Sequence, residues 1–241
     1  MSFPMLHIDH LGKAFQVDGS DKSVLTDLSL CLDRGEFVCV LGRSGCGKST
    51  LINLVAGFTF PTSGRILVQG NPVERPGPDR CVVFQDDALF PWLTVEENIA
   101  FGLRNKKRYQ DRVASLLDMT GLTGFRKYLP EEISGGMKQR VALARVLVLD
   151  PGILLMDEPF AALDAQTREE MQALFLDLWA RFHHTVLFVT HDVREAVFLA
   201  DRVLVMDRGR NHQFMDITLS RPRNRESEDF SVRARALRSM L

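Results

Sequence analysis

The chain has 241 residues, a length that suits one large domain or two small ones and buries a sizeable core without cross-links. Its 30 Lys plus Arg and 31 Asp plus Glu give a formal charge of -1, which argues against a protein held on nucleic acid by bulk charge. No stretch reaches the roughly 18 consecutive apolar residues of a membrane-spanning helix. Met1 to His10 lacks the basic start and apolar stretch of a secretory signal, and the 4 cysteines form no Cys-x-x-Cys pair, so a reduced cytoplasmic compartment is expected.

Residues 1–35 alternate in polarity and predict antiparallel edge strands. Glu36 to Leu41 is a near-continuous apolar run, the pattern of a strand buried on both faces, and Cys39 within it reads as a core residue. A glycine-rich loop, Gly42 to Ser49, leads into a helical pattern from Thr50 to Ala56. Cys81 to Phe84 predicts another strand, and Gln85 to Pro130 is helical in pattern, with the basic stretch Arg104 to Arg108. Ser134 opens a helix that continues through Leu143. Ile153 to Met156, Thr185 to Val189 and Arg202 to Met206 predict strands. A helix is expected from about Ala165 to Phe182 with Asp164 as N-cap, its stripe of Met171, Leu174, Phe175, Leu178, Trp179 and Phe182 reading as core. The alternation predicts an α/β fold with a mostly parallel sheet. The domain expectation is one domain over 1–241, with a helical subdomain over about 86–150 and a polar tail over about 209–241. Arg221, Arg223, Arg225, Arg233, Arg235 and Arg238 of that tail read as a solvated basic face.

Three segments carry chemistry. Gly42-Arg43-Ser44-Gly45-Cys46-Gly47-Lys48-Ser49 fits G-x-x-x-x-G-K-[ST] between a strand and a helix. Its glycines let successive N–H groups face phosphate oxygens, and the helix that follows turns its positive end to the same anion. Lys48 reaches the β- and γ-phosphates, and the Ser49 hydroxyl is a Mg²⁺ ligand. The run Ile153 to Met156 delivers Asp157 and Glu158 to a strand end, where open α/β sheets bind ligands. Asp157 is placed to hold Mg²⁺ through water, and Glu158 to polarise an attacking water. Ser134-Gly135-Gly136 opens its helix as a second anion-type site.

The order phosphate loop, Gln85, Ile133-Ser134-Gly135-Gly136-Met137, Asp157-Glu158, Ala162-Leu163-Asp164, His191 resembles the ATP-binding cassette (ABC) ATPases, and the resemblance spans Phe15 to about Met206. It implies a P-loop NTPase fold with an N-terminal antiparallel β region and a helical subdomain. It also implies a head-to-tail dimer of two copies, with each ATP between one chain's phosphate loop and the other's Ser134, Gly135 and Gly136. On this resemblance Phe15 stacks on adenine, although an aromatic there suits a core equally well. Gly42 to Lys48, Ser49 and Thr50 hold the nucleotide, Gln85 senses Mg²⁺ and the attacking water, and Glu158 is the general base. His191 positions the γ-phosphate, and Asp164 crosses the dimer axis. The signature departs from the commonest form, with Ile133 for Leu and Met137 for Gln. Phe84 to Trp92, Glu158 to Asp164 and Glu195 to Ala200 are similar to importers of nitrate, sulfonate, taurine and related small solutes. That implies an ATPase at the cytoplasmic face of the cell membrane. Its partners would be an integral membrane permease and, indirectly, a solute-binding protein, with no nucleic acid. Phe90, Pro91 and Trp92 would contact the permease, although Trp92 suits a buried position equally well. The competing expectation is a soluble, non-transport ABC ATPase driving an assembly scaffold. A small-molecule kinase shares the phosphate loop but leaves Ser134-Gly135-Gly136 and His191 unexplained.

Overall fold

The structure, a computed structural model, describes residues 3–86, 88–104, 109–207 and 211–241. Asp87, most of the basic stretch Arg104 to Arg108, and the first residues of the polar tail, 209–210, lie outside the described residues. The chain forms two compact units, one from 1–80, 152–157 and 183–241 and the other from 81–151 and 158–182.

The first unit holds two sheets. β1 (Leu6–Val17) and β2 (Ser20–Leu32) form an antiparallel hairpin, in register from Leu6↔Leu32 to Val17↔Ser20. After β3 (Phe37–Gly42), β4 (Ser63–Val68) and β5 (Asn71–Pro72) extend this first sheet in the order β2-β1-β4-β5. The alternation of residues 1–35 is the signature of this sheet: Leu6, Ile8 and Leu11 are fully buried while the residues between them are not. β6 (Arg80–Val83) leads into the second unit. The second sheet is built from β3, β7 (Ile153–Asp157), β8 (Thr185–Thr190), β9 (Arg202–Asp207) and β10 (Asn211–Asp216). Within the unit they run in the order β10-β9-β3-β8-β7, all parallel except β10. Every residue of β3 and β8 is buried, as continuous apolar runs require of strands covered on both faces. Helix α1 (Lys48–Ala56) packs on β3, β7 and β8.

The second unit is helical: α2 (Val95–Ile99), α3 (Gln110–Met119), α4 (Gly135–Leu147) and α5 (Ala165–Phe182), with short 3₁₀ turns at Thr123–Phe125 and Pro130–Glu132. Its core gathers Ile99, Leu116, Leu117, Val141 and Leu143, with Phe160 and Phe175 meeting edge to face at 6.4 Å. Along α5, Met171, Phe175 and Leu178 are buried and Leu174, Trp179 and Phe182 half-buried, so most of the predicted stripe does pack inward. Two more helices complete the first unit. α6 (Val193–Leu199) lies against β3 and β8, and α7 (Glu228–Ser239) against α6.

Candidate functional site

Three neighbouring parallel strands of the first unit deliver their ends to one side of the sheet. β3 and β7 flank β8, with Val40 and Asp157 both in register with Val189, and Leu41 with Thr190. The phosphate loop follows β3, His191 follows β8, and Asp157 ends β7. The predicted loop, histidine and carboxylate therefore meet at the carboxyl edge, where an open α/β sheet binds its ligand. His191 is exposed and Asp157 half-buried.

The loop is shaped by its close approaches. A Cβ on Gly42 would stand 2.6 Å from both Cys46 Sγ and the Met206 carbonyl oxygen, so only glycine lets the loop leave β3 this tightly. Gly47 has φ 106, a left-handed conformation, and forms the N-cap of α1 with no side-chain cap. The first amides of α1 thus have no capping side chain and are offered to an anion. Lys48 is 5% exposed, and its Nζ donates to the carbonyls of Gly42 (2.8 Å) and Arg43 (3.2 Å), which holds the ammonium inside the loop's curl. Burial pushes the Cys46 thiol up, so it stays neutral there. Arg43, Ser44 and Gly45 are exposed and, with Cys46, Lys22 and Asp207, line a cavity of about 760 Å³. Ser49 is exposed and Thr50 half-buried on the first turn of α1. Phe15 on β1 is 40% exposed, and Lys13 Nζ lies 4.7 Å from its ring centre. Its ring is thus open to solvent in part, as a stacking surface must be.

The second unit carries Gln85, Ser134 to Gly136, Glu158 and Asp164. Gln85 is exposed. Ser134, also exposed, caps α4: its Oγ accepts from the Met137 N–H at 3.3 Å. Glu158 is half-buried at φ 46, a conformation that costs a non-glycine residue about 1–2 kcal/mol. Such residues cluster at functional positions. Asp164 caps α5, accepting from the Thr167 N–H (3.0 Å) and hydroxyl (2.6 Å), and these bonds hold its carboxyl below the usual carboxylate range. The Thr167 hydroxyl partner was not singled out from the sequence; an Asp-x-x-Thr spacing at a helix start is the signal that could have found it.

Trp92 is 72% exposed, which decides between its two expected positions. It belongs to an aromatic cluster in which the Phe90 ring lies 4.1 Å from that of Phe101 and 5.7 Å from that of Trp92. The buried side chain of Asn98 braces this loop: its Oδ1 accepts from the Phe90 N–H, and its Nδ2 donates to the carbonyls of Phe90, Leu93 and Thr94. Sequence reasoning missed Asn98, because a lone Asn in a short polar helix carries no periodic signal.

The ABC transporter family model matches residues 25–161 of the chain. The chain belongs to the ABC transporter family. Within the family it is the ATP-binding subunit, an ATPase coupled to transport. It is 45% identical over 231 residues to the nitrate import ATP-binding protein NrtD of Synechococcus elongatus, covering 92% of this chain and 84% of that protein. To the aliphatic sulfonates import ATP-binding protein SsuB of Bacillus thuringiensis it is 44% identical over 226 residues, covering 92% of this chain and 90% of that protein. Among solved structures it is similar to the dimeric bacterial ABC transporter cassette MJ0796, with a TM-score of 0.78 and 29% identity over 90% of this chain and 100% of that one. The fold expected from the motif order, an ABC ATPase with an antiparallel N-terminal region and a parallel-rich sheet, is the fold observed. Among the described residues no helix is long and apolar enough to cross a membrane.

Proposed function

We propose that this ABC ATPase drives import of a small oxyanion of the nitrate or sulfonate type. Two copies associate head to tail, and each nucleotide is held between one copy's phosphate loop and Ser134, Gly135 and Gly136 of the other. The observation that carries the nucleotide chemistry is the alignment of the phosphate loop, His191 and Asp157 on the ends of β3, β8 and β7, and the likeness to nitrate and sulfonate import proteins supports the solute class. The strand alignment puts the glycine-rich loop, an imidazole and a carboxylate on one edge, which supports the roles proposed for them.

Among the described residues no cluster of three or more His, Cys, Asp or Glu side chains gathers to cage a metal. A hydroxyl, an amide and one carboxylate, from Ser49, Gln85 and Asp157, are the few hard oxygens that suit Mg²⁺, which keeps waters and phosphate oxygens as its other ligands. When bound, Mg²⁺ neutralises charge on the phosphates. The protein's residues do the rest. Phe15 stacks on the base. Lys48 and the loop amides hold the β- and γ-phosphates. Glu158 takes a proton from water as the water oxygen bonds to the γ-phosphorus and the bond to the β-phosphate oxygen breaks. His191 orients the γ-phosphate, Gln85 contacts the water, and Asp164 links the two copies across their axis.

Each nucleotide bridges two copies, so it favours the closed dimer, and hydrolysis removes the bridging phosphate. The cluster of Phe90, Trp92 and Phe101 receives the membrane permease, with Trp92 as anchor. The complex then lies on the cytoplasmic face of the membrane and receives its solute from a solute-binding protein. The test is the assembly state of Glu158→Gln. With ATP and Mg²⁺ it should run as a dimer in light scattering and return to monomer with ADP. A monomer under both conditions refutes the bridging scheme. A tagged chain should also co-purify with a multi-span membrane protein in equal amounts, whereas capture of soluble partners alone refutes the importer reading.

A further inference from the structure

The turn that carries His191 runs directly into α6, and the far end of α6 is held by arginines from the segment after β10. An α-helix leaves its last carbonyls without intrahelical partners. In α6 the Ala196 carbonyl takes the Ala200 N–H, and the next four carbonyls are all met by two side chains. Arg223 Nη1 donates its two N–H groups to the carbonyls of Val197 (2.7 Å) and Ala200 (2.6 Å), and shares one of them with the carbonyl of Phe198 at 3.2 Å. Arg221 Nη2 donates to Leu199. Arg223 also donates to the carbonyls of Ile217 (3.3 Å) and Leu219 (3.1 Å), so one guanidinium joins the end of α6 to the strand exit beyond β10. Arg221 pairs with Asp201, whose other oxygen accepts from the Phe37 N–H that opens β3. Stacking closes the arrangement: the Arg225 guanidinium lies 3.6 Å over the Phe198 ring and Arg194 5.2 Å over Phe230.

The inner arginines overturn the expectation of a solvated basic face for this part of the tail. Arg223 is 7% exposed, and burial pushes it down to about 10, which still leaves it protonated at neutral pH. Burying a cation to gain stability alone is a poor solution, since an apolar side chain of similar size does as well. What four directional bonds and a shared fifth contact supply is position. At the other end of α6, Asp192 caps the helix by accepting from the N–H groups of Arg194 and Glu195, and its own N–H donates to Thr190 Oγ1. His191 thus stands between a fixed strand end and a helix of two turns locked at its carboxyl end.

We propose that Arg223, backed by Arg221, is a positioning residue for His191: it sets where α6 lies along its axis, and through that rigid helix it sets the reach of His191 toward the γ-phosphate. The inference rests on the reading of His191 given above. Small misplacements of a contact group can cost about a hundredfold in rate. The test is a double-mutant cycle on the full chain, with Arg223→Met and His191→Ala made singly and together. Single-turnover rates keep slow hydrolysis measurable, and the Kd for ATP is followed in parallel. Arg223→Met should lower the rate about ten- to hundredfold while leaving the Kd within about twofold. In the His191→Ala background the same change should lower the rate by less than about twofold. Fully additive losses, or a loss of affinity that matches the loss of rate, overturn the proposal. If Arg223→Met does not fold, Arg221→Met, nearer the rim, takes its place: a smaller loss that vanishes in the His191→Ala background supports the clamp, and an additive one refutes it. Should His191→Ala alone turn over at the wild-type rate, the reading of His191 fails and takes this inference with it. Should His191→Ala be impaired while both arginine variants keep the wild-type rate, only the clamp fails.

Discussion

Two helices of this ABC ATPase begin at glycine-rich turns, and they begin differently. α1 starts at Gly47 in a left-handed conformation with no side-chain cap, whereas α4 starts at Ser134, whose hydroxyl already accepts from the Met137 N–H. An uncapped start is incomplete until an anion arrives, so its amides are reserved for a ligand. A serine-capped start has one of its amides met within the folded chain and has a hydroxyl proton left to donate. The same element, a helix N-terminus, is thus left uncapped in one unit and carries a serine cap in the other. The second suits a group that serves a nucleotide held elsewhere, in a second copy.

The largest effect should fall on neither helix start, which separates holding the phosphates from cutting them. Glu158→Gln should reduce single-turnover hydrolysis by about 10²–10⁴-fold and leave the ATP Kd unchanged. An undiminished rate would remove Glu158 as the base. At the open start, Lys48→Ala deletes a charge-assisted contact and should raise the ATP Kd about ten- to hundredfold, measured by fluorescence titration of the isolated chain. At the capped start, Ser134→Ala should leave that Kd unchanged, lower stability to urea by about 0.5–2 kcal/mol, and weaken ATP-driven dimerisation. If Ser134→Ala weakened nucleotide binding by the monomer as Lys48→Ala does, the distinction between the two starts would collapse. The smallest effect concerns Asp164. Its folded pKa is depressed by Thr167, so the stabilisation it gives is present above the usual value of 3.8 and is lost as pH falls through the lower folded value. Thr167→Val should move its NMR titration back up toward 3.8, and an unmoved midpoint would mean that the hydroxyl does not hold it.

The fold was legible where burial is periodic. The runs at Ile153 to Met156 and Thr185 to Val189 became β7 and β8 with ends shifted by at most one residue, because a strand covered on both faces tolerates little besides apolar side chains. The phosphate loop was legible because its glycines and its Lys-Ser pair fall at fixed spacing within eight residues and their geometry is local. Less legible were contacts made by polar side chains on distant backbone. Arg221 and Arg223 in a polar tail look the same on paper whether they face water or a helix end, since the carbonyls they meet leave no trace in the sequence. Nor does any pattern of neighbours foretell that Glu158 sits at φ 46, a conformation favoured by glycine. The roles proposed for Gln85, Ser134 and Asp164 rest on the order of the motifs, and those of Ser134 and Asp164 need a second copy that no pattern within one chain displays.

Asn98 has a consequence for coupling. Its bonds to Phe90, Leu93 and Thr94 fix the loop that presents Trp92 before any partner arrives. The conformational entropy of that loop is therefore lost once, when the chain folds, and under the proposed docking it is not lost again at each encounter with the permease. Docking onto a preorganised surface forfeits little beyond overall translation and rotation. A rigid knob also transmits displacement without absorbing it. On the proposed scheme, a loop that had to order itself at every cycle would take up part of the stroke of nucleotide closure.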